Sequence, residues 1–402
     1  MTEFASDADT IVPAEQSAEI APAWGAIISL SLGVFGLVTA EFLPASLLTP
    51  LAADLRVTEG AAGQAVTATA IVGAIAAPTM AIITRRLDRR VVMWALTTLL
   101  IVSNFLAGSA SDLTTLLLAR VTLGISLGGF WSMAAAMAMR LVPMRLMPRA
   151  MSIILTGVSV ATVCAAPVGA YVGEIWGWRA AFIIAAIVGA VTLLVQVATI
   201  PSLAPIGSPG LRTLLGLMKL PRIRIGLLAV LLIASGHFAG FTYIRPFLEQ
   251  VPMLGIETIS LVLLAYGIGG FFGNFAGAFA IERSLKAAVA LAPLLIAATA
   301  LILIAYGSVP LVAMIAVAIW GFAFGAVPVG LQTWMAQAAG DQAESGGGLF
   351  IATFQIAIAA GAILGGVLVD NSGAAGAIAY CGAATLLAAI AVFVLGGQRQ
   401  TG

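Results

Sequence analysis

Ionisable side chains are rare inside the apolar stretches of this sequence, and three of them could handle protons. Glu41 and Arg120 lie in the first and fourth apolar stretches, and His237, the only histidine, lies in the seventh. A charged group in hydrocarbon is costly, so it normally faces a cavity or a partner. A carboxyl group or an imidazole can bind and release a proton as its surroundings change. These residue types predict proton coupling across a membrane.

Glu41 and Arg120 share a depth in the predicted bundle. Glu41 lies ten residues before the end of its helix, about 15 Å at 1.5 Å per residue. Arg120 lies seven residues from the same side, about 10 Å deep. We predict that Glu41 carries a proton from one side to the other, drawn between states by substrate and by Arg120. The alternatives are a permanent ion pair and, for His237, a hydrogen-bonded core residue.

Polar and aromatic residues inside the spans predict the substrate class. They are Trp131, Tyr243, Asn274, Trp320 and Gln355. Flat aromatic faces beside amides suit a neutral, planar ligand with hydrogen-bonding groups, such as a nucleoside. Sugars bind against Trp and amides, and apolar drugs bind against Trp and Phe. The residues alone therefore leave three substrate classes open.

Enzymes and channels are the competing classes of function. One histidine, two distant cysteines (Cys164 and Cys381) and no Gly-x-x-x-x-Gly-Lys loop predict no metal site, thiol pair or nucleotide motor. Both cysteines are expected to act as small apolar residues in helix packing. We predict no enzyme activity, no cofactor and no nucleic-acid partner. A channel would need a continuous pore, whereas the duplication described below favours alternating access.

The elements that position these residues are predicted from composition. Of 402 residues, 61% are hydrophobic and 9% charged, whereas soluble domains carry about a quarter charged residues. A membrane-spanning helix needs about 20 apolar residues. Such stretches predict twelve helices near 24–50, 61–84, 91–110, 113–138, 151–174, 180–200, 225–248, 258–281, 287–306, 311–337, 346–369 and 377–396.

Basic residues predict the orientation of these helices, because cytoplasmic loops carry more Lys and Arg. If the first helix runs outward, only Arg56, Arg179 and Arg245 fall on the outer side. The inner loops hold Arg85, Arg86, Arg89, Arg90, Arg140, Arg145, Arg149, Arg212, Lys219, Arg222, Arg224, Arg283, Lys286 and Arg399. Both termini are therefore predicted to be cytoplasmic. Glu174 and Glu249 fall near the outer boundary with Arg245, where they predict interfacial anchors or an outer gate.

An internal repeat divides the chain into two halves. Gly124 with Gly128 recurs as Gly321 with Gly325, and the small-residue stripe of the fifth helix nearly recurs in the eleventh 196 residues later. We predict six-helix halves at 24–200 and 225–396, joined by a Pro- and Gly-containing cytoplasmic linker at 201–224. Residues 1–23 hold five acidic and no basic residues and predict a disordered acidic cytoplasmic tail. Residues 397–402 are predicted to form a second cytoplasmic tail.

Several motifs resemble a known family. The run Thr39-Ala40-Glu41-Phe42-Leu43-Pro44 is similar to the first-helix signature of the drug:proton antiporter-1 family of the major facilitator superfamily. Arg120 with Gly124 resembles its fourth-helix motif, and Ala166-Pro167-Val168-Gly169 with Gly173 resembles its fifth-helix antiporter motif. The loop after helix two departs from the family pattern, since Arg85 stands at the usual Asp position and Asp88 at a Gly position. That departure puts the family's charge-based gate in question.

Other strings are similar to one branch, the bacterial purine ribonucleoside efflux pumps. They include Gly128-Gly129-Phe130-Trp131, Met139-Arg140-Leu141-Val142-Pro143, Phe241-Thr242-Tyr243-Ile244-Arg245-Pro246 and Asp341-Gln342-Ala343-Glu344. The resemblance implies twelve helices in two pseudo-symmetric halves, with helices one, four, seven and ten lining a central cavity. It also implies proton-coupled efflux of purine ribonucleosides, such as inosine and guanosine, by a monomer in the bacterial inner membrane. An exporter of sugars or hydrophobic drugs is the alternative.

Overall fold

The computed structural model describes residues 22–84, 86–143, 146–204 and 216–396. Twelve helices in these ranges are long and apolar enough to cross a membrane, which confirms the predicted all-α polytopic fold. Two short α-helices, α2 and α9, and a 3₁₀ turn at Gly340–Gln342 accompany them. The helices are α1 Trp24–Ser46, α2 Leu48–Leu55, α3 Glu59–Ile83, α4 Arg89–Gly108, α5 Leu113–Leu141, α6 Met147–Trp176, α7 Trp178–Thr199, α8 Pro221–Thr242, α9 Ile244–Gln250, α10 Ile256–Arg283, α11 Leu285–Tyr306, α12 Pro310–Ala339, α13 Ala343–Ser372 and α14 Ala374–Leu395.

Helices predicted as continuous at 24–50 and 225–248 are each broken in two. The breaks fall at Leu47 and Tyr243, 196 residues apart, where ψ moves to 9° and 20°. Pro50 and Pro246 follow each break by three residues. A proline has no N–H to bond the carbonyl four residues earlier, so the helix loses a hydrogen bond there. The breaks therefore repeat in the two halves because their proline positions repeat.

The packing of the helices repeats as well. In the first half, α1 packs on α6, α3 on α5 and α4 on α7. In the second half, α8 packs on α13, α10 on α12 and α11 on α14. The halves meet where α3 contacts α13 and where α6 contacts α10. The structure thus has the two pseudo-symmetric six-helix halves that the sequence repeat predicts.

Repeated glycines allow the closest of these contacts. A Cβ on Gly124 would lie 2.6 Å from the carbonyl oxygen of Thr69, and one on Gly321 would clash with the carbonyl of Tyr266. Only glycine lets the α3–α5 and α10–α12 backbones approach this closely, as small residues do in membrane helix pairs.

The bundle has an outer end and an inner end. The outer end carries α2 and α9, and the charge distribution predicts that it faces away from the cytoplasm. The inner end carries the connection from α7 to α8. The predicted tails 1–23 and 397–402 lie outside the described residues except for residues 22–23, and so do residues 205–215 of the predicted linker. The second half begins its first helix at Pro221 rather than at 225.

Candidate functional site

Glu41 lies in α1, three residues before Pro44. Glu41 is half-buried, and protein atoms surround its side chain. The accessible part of the side chain therefore faces the interior of the bundle and not the lipid. Within the part of the chain that the structure describes, no side chain forms an ion pair with its carboxylate. Glu41 is thus an acid with interior access and no fixed partner.

Arg120 of α5 is fully buried and binds the backbone of the same half. Its Nη2 donates to the carbonyl oxygen of Ala40 at 2.9 Å, and its Nε donates to Thr69 Oγ1 at 3.1 Å and to the carbonyl of Ala65 at 3.4 Å. Its Nη1 has no hydrogen-bond partner. The permanent ion pair with Glu41, kept open from the sequence, is not formed in this structure.

Proline explains why Arg120 finds an acceptor on α1. In an unbroken helix the N–H of residue 44 would bond the Ala40 carbonyl, but Pro44 has no N–H. The Arg120 guanidinium donates a hydrogen bond to this carbonyl oxygen. Without that donor the oxygen would be a buried acceptor with no partner, which is unfavourable. Because Ala40 precedes Glu41, Arg120 positions the peptide that carries the carboxylate without contacting the carboxylate itself.

His237 of α8 is the centre of an aromatic cage in the second half. The cage consists of His237, Phe241, Tyr266, Trp320 and Phe324. Phe324 stacks on the imidazole with ring centroids 3.4 Å apart, and Phe241 stacks near it at 5.5 Å. Trp320 Nε1 donates to His237 Nδ1 at 3.1 Å, and the Tyr266 hydroxyl lies 3.3 Å from Nε2.

These hydrogen bonds define the protonation of His237. An indole N–H can only donate, so Nδ1 accepts and carries no proton. The imidazole is therefore neutral with its proton on Nε2, which donates to the Tyr266 oxygen. Protonation of Nδ1 would remove the acceptor that holds Trp320. The structure favours the hydrogen-bonded core role that the sequence left open for His237.

Three half-buried phenylalanines in or beside the cage were not predicted as site residues. Phe42, Phe324 and Phe354 pack around the same central cluster where the two halves meet. Phe42, next to Glu41, meets Phe241 edge-on at 5.7 Å and so links α1 to the cage. Residues four apart lie on the same face of a helix. Phe241 follows His237 by four residues and Phe324 follows Trp320 by four, so this spacing could have identified both phenylalanines as site residues.

The other predicted ligand residues lie in different environments. Trp131 on α5 and Asn274 on α10 are half-buried. Gln355 on α13 is 4% exposed, and its Nε2 donor has no partner. Its amide lies against Gly73 of α3, at the contact between the halves. Trp320 is fully buried in the cage.

Tyr243 lies away from the cage, at the break between α8 and α9. It is fully buried, and its hydroxyl donates to the carbonyl of Ala362 at 2.9 Å and reaches that of Gly60 at 3.5 Å. In this state Tyr243 therefore joins the halves at the outer end.

Arg245 is the second buried arginine that binds a proline-freed carbonyl of the first helix. Its Nη1 donates to the carbonyl oxygen of Ser46 at 2.8 Å, which Pro50 leaves without its helical donor. Its Nε bonds Glu249 at 2.7 Å, and Glu249 accepts from Thr49 Oγ1 at 2.5 Å. Arg245 and Glu249 belong to the second half, whereas Ser46 and Thr49 belong to the first.

We call the inter-half hydrogen bonds at this end the outer closure. They join Ser46–Arg245, Thr49–Glu249, Thr58–Asp370, Gly60–Asp370, Gly60–Tyr243 and Glu59–Gln250. The halves are therefore tied together at the outer end, which is the arrangement of an outward-closed state.

Asp88 replaces the usual loop glycine and serves as a structural cap at the inner end. It accepts from the Arg90 N–H at 2.8 Å, from the Leu203 N–H at 3.0 Å and from the Ser202 hydroxyl. Burial opposes ionisation, but these hydrogen bonds outweigh it and hold the pKa of Asp88 below its usual value. Asp88 joins the start of α4 to the end of α7 within one half. Arg85, at the family's Asp position, lies outside the described residues.

Among the described residues, no group of three or more His, Cys, Asp or Glu side chains is placed so that it could hold a metal ion. Cys164 and Cys381 are free thiols in separate halves. The site can therefore offer a protonatable carboxyl, stacking surfaces and a few hydrogen-bond donors.

The sequence model of the Major Facilitator Superfamily matches residues 30–350. Proteins named purine ribonucleoside efflux pump NepI, from Salmonella paratyphi B and Salmonella enteritidis PT4, are 41% identical to this chain over 371 residues. The match covers 92% of this chain and 94% of each relative.

Solved structures share the fold at low sequence identity. The human organic anion transporter MFSD10 (TETRAN) is 19% identical with a TM-score of 0.69, covering 92% of this chain and 100% of that one. A bacterial homologue of the human lysosomal transporter Spinster, inward-facing and occupied, is 15% identical with a TM-score of 0.75, covering 92% and 96%.

Proposed function

Because the chain belongs to the Major Facilitator Superfamily, we propose that it exports purine ribonucleosides, such as inosine and guanosine, in exchange for protons. One observation carries the substrate class, namely 41% identity over 92% of the chain to relatives named purine ribonucleoside efflux pumps. That likeness spans both halves. The alternative substrates, sugars and hydrophobic drugs, are tested below.

Substrate recognition belongs to the interior face beside the aromatic cage. A purine is planar and stacks on exposed aromatic faces, which Phe324 and Phe354 offer at the contact between the halves. The free Nε2 of Gln355 can donate to a ring nitrogen or a ribose hydroxyl. Trp131 and Asn274, half-buried on α5 and α10, complete the proposed set. His237 stacks on Phe324 and fixes its orientation. Trp320 in turn holds His237 through its hydrogen bond to Nδ1. Tyr243 joins the set by closing the outer end over the bound ligand.

Proton coupling is assigned to Glu41. A carboxylate without a fixed partner can load and unload a proton as its access changes sides, whereas a locked ion pair holds its charge. Arg120 keeps the Ala40 peptide, and so Glu41, in place through this cycle. Phe42 contacts the cage through Phe241, which gives the ligand region a physical route to the residue beside Glu41.

Alternating access would proceed by opening the outer closure. Arg245, Glu249, Tyr243 and Asp370 would release the first half while the inner ends approach one another. The protein would act as a monomer in the bacterial inner membrane with both termini in the cytoplasm, as its loop charges predict. It would need no cofactor and no nucleic-acid partner.

Inside-out vesicles test the substrate assignment. With an acid interior, labelled inosine should accumulate in vesicles that contain the protein and not in vesicles that lack it. Unlabelled guanosine should compete, whereas sugars and hydrophobic dyes should not. Glu174→Gln, which changes an exposed carboxylate at the end of α6, should transport normally. If the protein moves a dye or a sugar but ignores inosine, the nucleoside assignment is wrong and the family membership stands.

A further inference from the structure

A groove of about 510 Å³ opens between α6 and α10, apart from the aromatic cage and Glu41. Its walls include Val168 and Tyr171 of α6, which are each 54% exposed, and Leu261 of α10, which is 60% exposed. In a membrane these surfaces face acyl chains. The groove lies in the outer part of the bundle, because Glu257 in the first turn of α10 also lines it.

The groove changes from polar to apolar with depth. Glu257 lies at the outer end, and Ser260 follows three residues later, about 4.5 Å deeper at 1.5 Å per residue. Leu261 and Leu264 lie farther in. A phospholipid has the same order, with its headgroup at the surface, its ester carbonyls below and its acyl chains deepest.

Ser260 contributes a hydroxyl that the protein does not use. Its oxygen is buried and has no hydrogen-bond partner. Serine in a helix usually bonds a carbonyl of the preceding turn, and a buried polar group without a partner is unfavourable. An ester carbonyl at this depth would accept the free O–H.

Glu257 contributes the charge. A carboxylate in the first turn of a helix is favoured by the helix dipole alone, and that effect needs no ligand. The groove adds a second feature, because this carboxylate borders a cleft of about 510 Å³ that is otherwise lined largely by apolar side chains. A cationic headgroup complements it, and an anionic one does not.

From these features we propose that the α6–α10 groove binds a phospholipid with a primary-ammonium headgroup. The ammonium lies at Glu257, an ester carbonyl accepts from Ser260, and an acyl chain covers Val168, Leu261 and Leu264. Since α6 and α10 belong to different halves, the lipid spans their contact. The proposal is independent of which solute the protein transports.

Lipid retention measured by native mass spectrometry tests this proposal. The purified full-length protein is exposed to equal amounts of phosphatidylethanolamine, phosphatidylcholine and phosphatidylglycerol, and the lipid that remains bound is counted. The wild type should retain phosphatidylethanolamine preferentially. Because Glu257 is exposed, Glu257→Gln should lower that retention by about two- to fivefold, the size of an exposed ion pair. Glu174→Gln is the control, since it removes an exposed carboxylate at the same end outside the groove lining and should leave retention unchanged.

A second pair of variants probes the groove itself. Leu261→Trp should fill the cleft and lower retention, while Leu301→Trp on α11, 66% exposed at a similar depth, should not. Equal retention of all three lipids, or an unchanged result for both Glu257→Gln and Leu261→Trp, would overturn the proposal. A loss of retention that Glu174→Gln reproduces would also overturn it, because general surface charge would then be the cause.

Discussion

The two halves share one architecture but hold different chemistry in their interiors. The first half buries a full charge, Arg120, beside a carboxyl with no fixed partner, Glu41. At the centre of the second half lies a neutral imidazole, His237, whose two nitrogens are both hydrogen-bonded within an aromatic cage. The two halves thus share the arrangement of their helices but differ in the side chains that fill their interiors.

This difference indicates a division of labour. A group that cycles protons needs access and no permanent partner, which is the condition of Glu41. A surface that recognises a planar ligand needs rigid rings, which the cage supplies. We therefore propose that proton coupling belongs to the first half and that most of the recognition surface belongs to the second half, with Trp131 of α5 as the contribution of the first half.

The largest expected effect is that of Glu41→Gln. Glutamine keeps the shape of the side chain but cannot carry a proton, so accumulation of labelled inosine driven by a pH gradient should be abolished. Exchange of internal for external inosine without a gradient should persist, because the second half is intact. Loss of both activities to the same degree would contradict the proposal that coupling and recognition lie in different halves.

Arg120→Lys should produce the next largest effect. Lysine lacks the planar fork that bonds the Ala40 carbonyl and Thr69 together. Each buried acceptor left unpaired costs about 1–3 kcal/mol, so the melting temperature in detergent should fall and transport should drop by about tenfold or more. Normal stability together with normal transport would instead mean that Arg120 acts only through its positive charge, which lysine keeps.

Arg245→Gln should open the outer closure. It removes the donor to the Ser46 carbonyl and the ion pair with Glu249 together, whereas Glu249→Gln leaves the first bond in place. Spin labels at Ser111 and Ser308, exposed in outer loops of the two halves, should move apart in Arg245→Gln and less so in Glu249→Gln. Unchanged distances in both variants would show that the outer closure does not hold this state.

Trp320→Phe should weaken ligand binding modestly. Phenylalanine keeps an aromatic ring but loses the N–H that fixes His237. One neutral hydrogen bond contributes about 1 kcal/mol, so the KM for inosine should rise about fivefold with little change in the proton dependence of transport. A shifted proton dependence would move coupling into the second half and would contradict the division proposed here.

The smallest effect is expected at the exposed ion pair of Asp54 with Arg179. The hydrogen bond from Arg179 holds the pKa of Asp54 below its usual value. Because the pKa of Asp54 is lower in the folded protein, its ionised carboxylate stabilises the fold at pH values above its unfolded pKa of about 4. This stabilisation is lost as the pH falls through the pKa of the folded state. Both side chains are substantially exposed, at 46% and 39%, so Asp54→Asn should change the melting temperature only slightly at pH 7. The difference from wild type should shrink below about pH 4, and a difference that grew there would refute the assigned sign.

Much of this architecture could be predicted from the sequence, because apolar runs and repeated residue spacings can be identified along the chain without knowledge of three-dimensional contacts. Twenty-residue apolar runs give the spans, and the recurrence of Gly124 at Gly321 gives the two halves. The breaks at Leu47 and Tyr243 were missed, although Pro50 and Pro246 mark them, because apolar runs continue through both breaks.

The site was predicted less completely, because its contacts join distant residues. The sequence placed Glu41 and Arg120 at one depth but could not show that Arg120 binds the Ala40 carbonyl rather than the carboxylate. It named His237 and Trp320 separately, and only the fold brings Trp320 Nε1 to His237 Nδ1. Tyr266 was missed because aromatic residues are common in membrane helices, and Phe324 was missed although its four-residue spacing from Trp320 indicated it.

The most direct test of antiport is the proton movement that inosine itself causes. Proteoliposomes with a trapped pH indicator are given inosine outside, with no pH gradient imposed, while labelled inosine entry is followed in parallel. Proton antiport through Glu41 predicts that the interior becomes alkaline as inosine enters, and that Glu41→Gln abolishes the pH change. Inosine entry with a steady or acidifying interior in the wild type would contradict antiport.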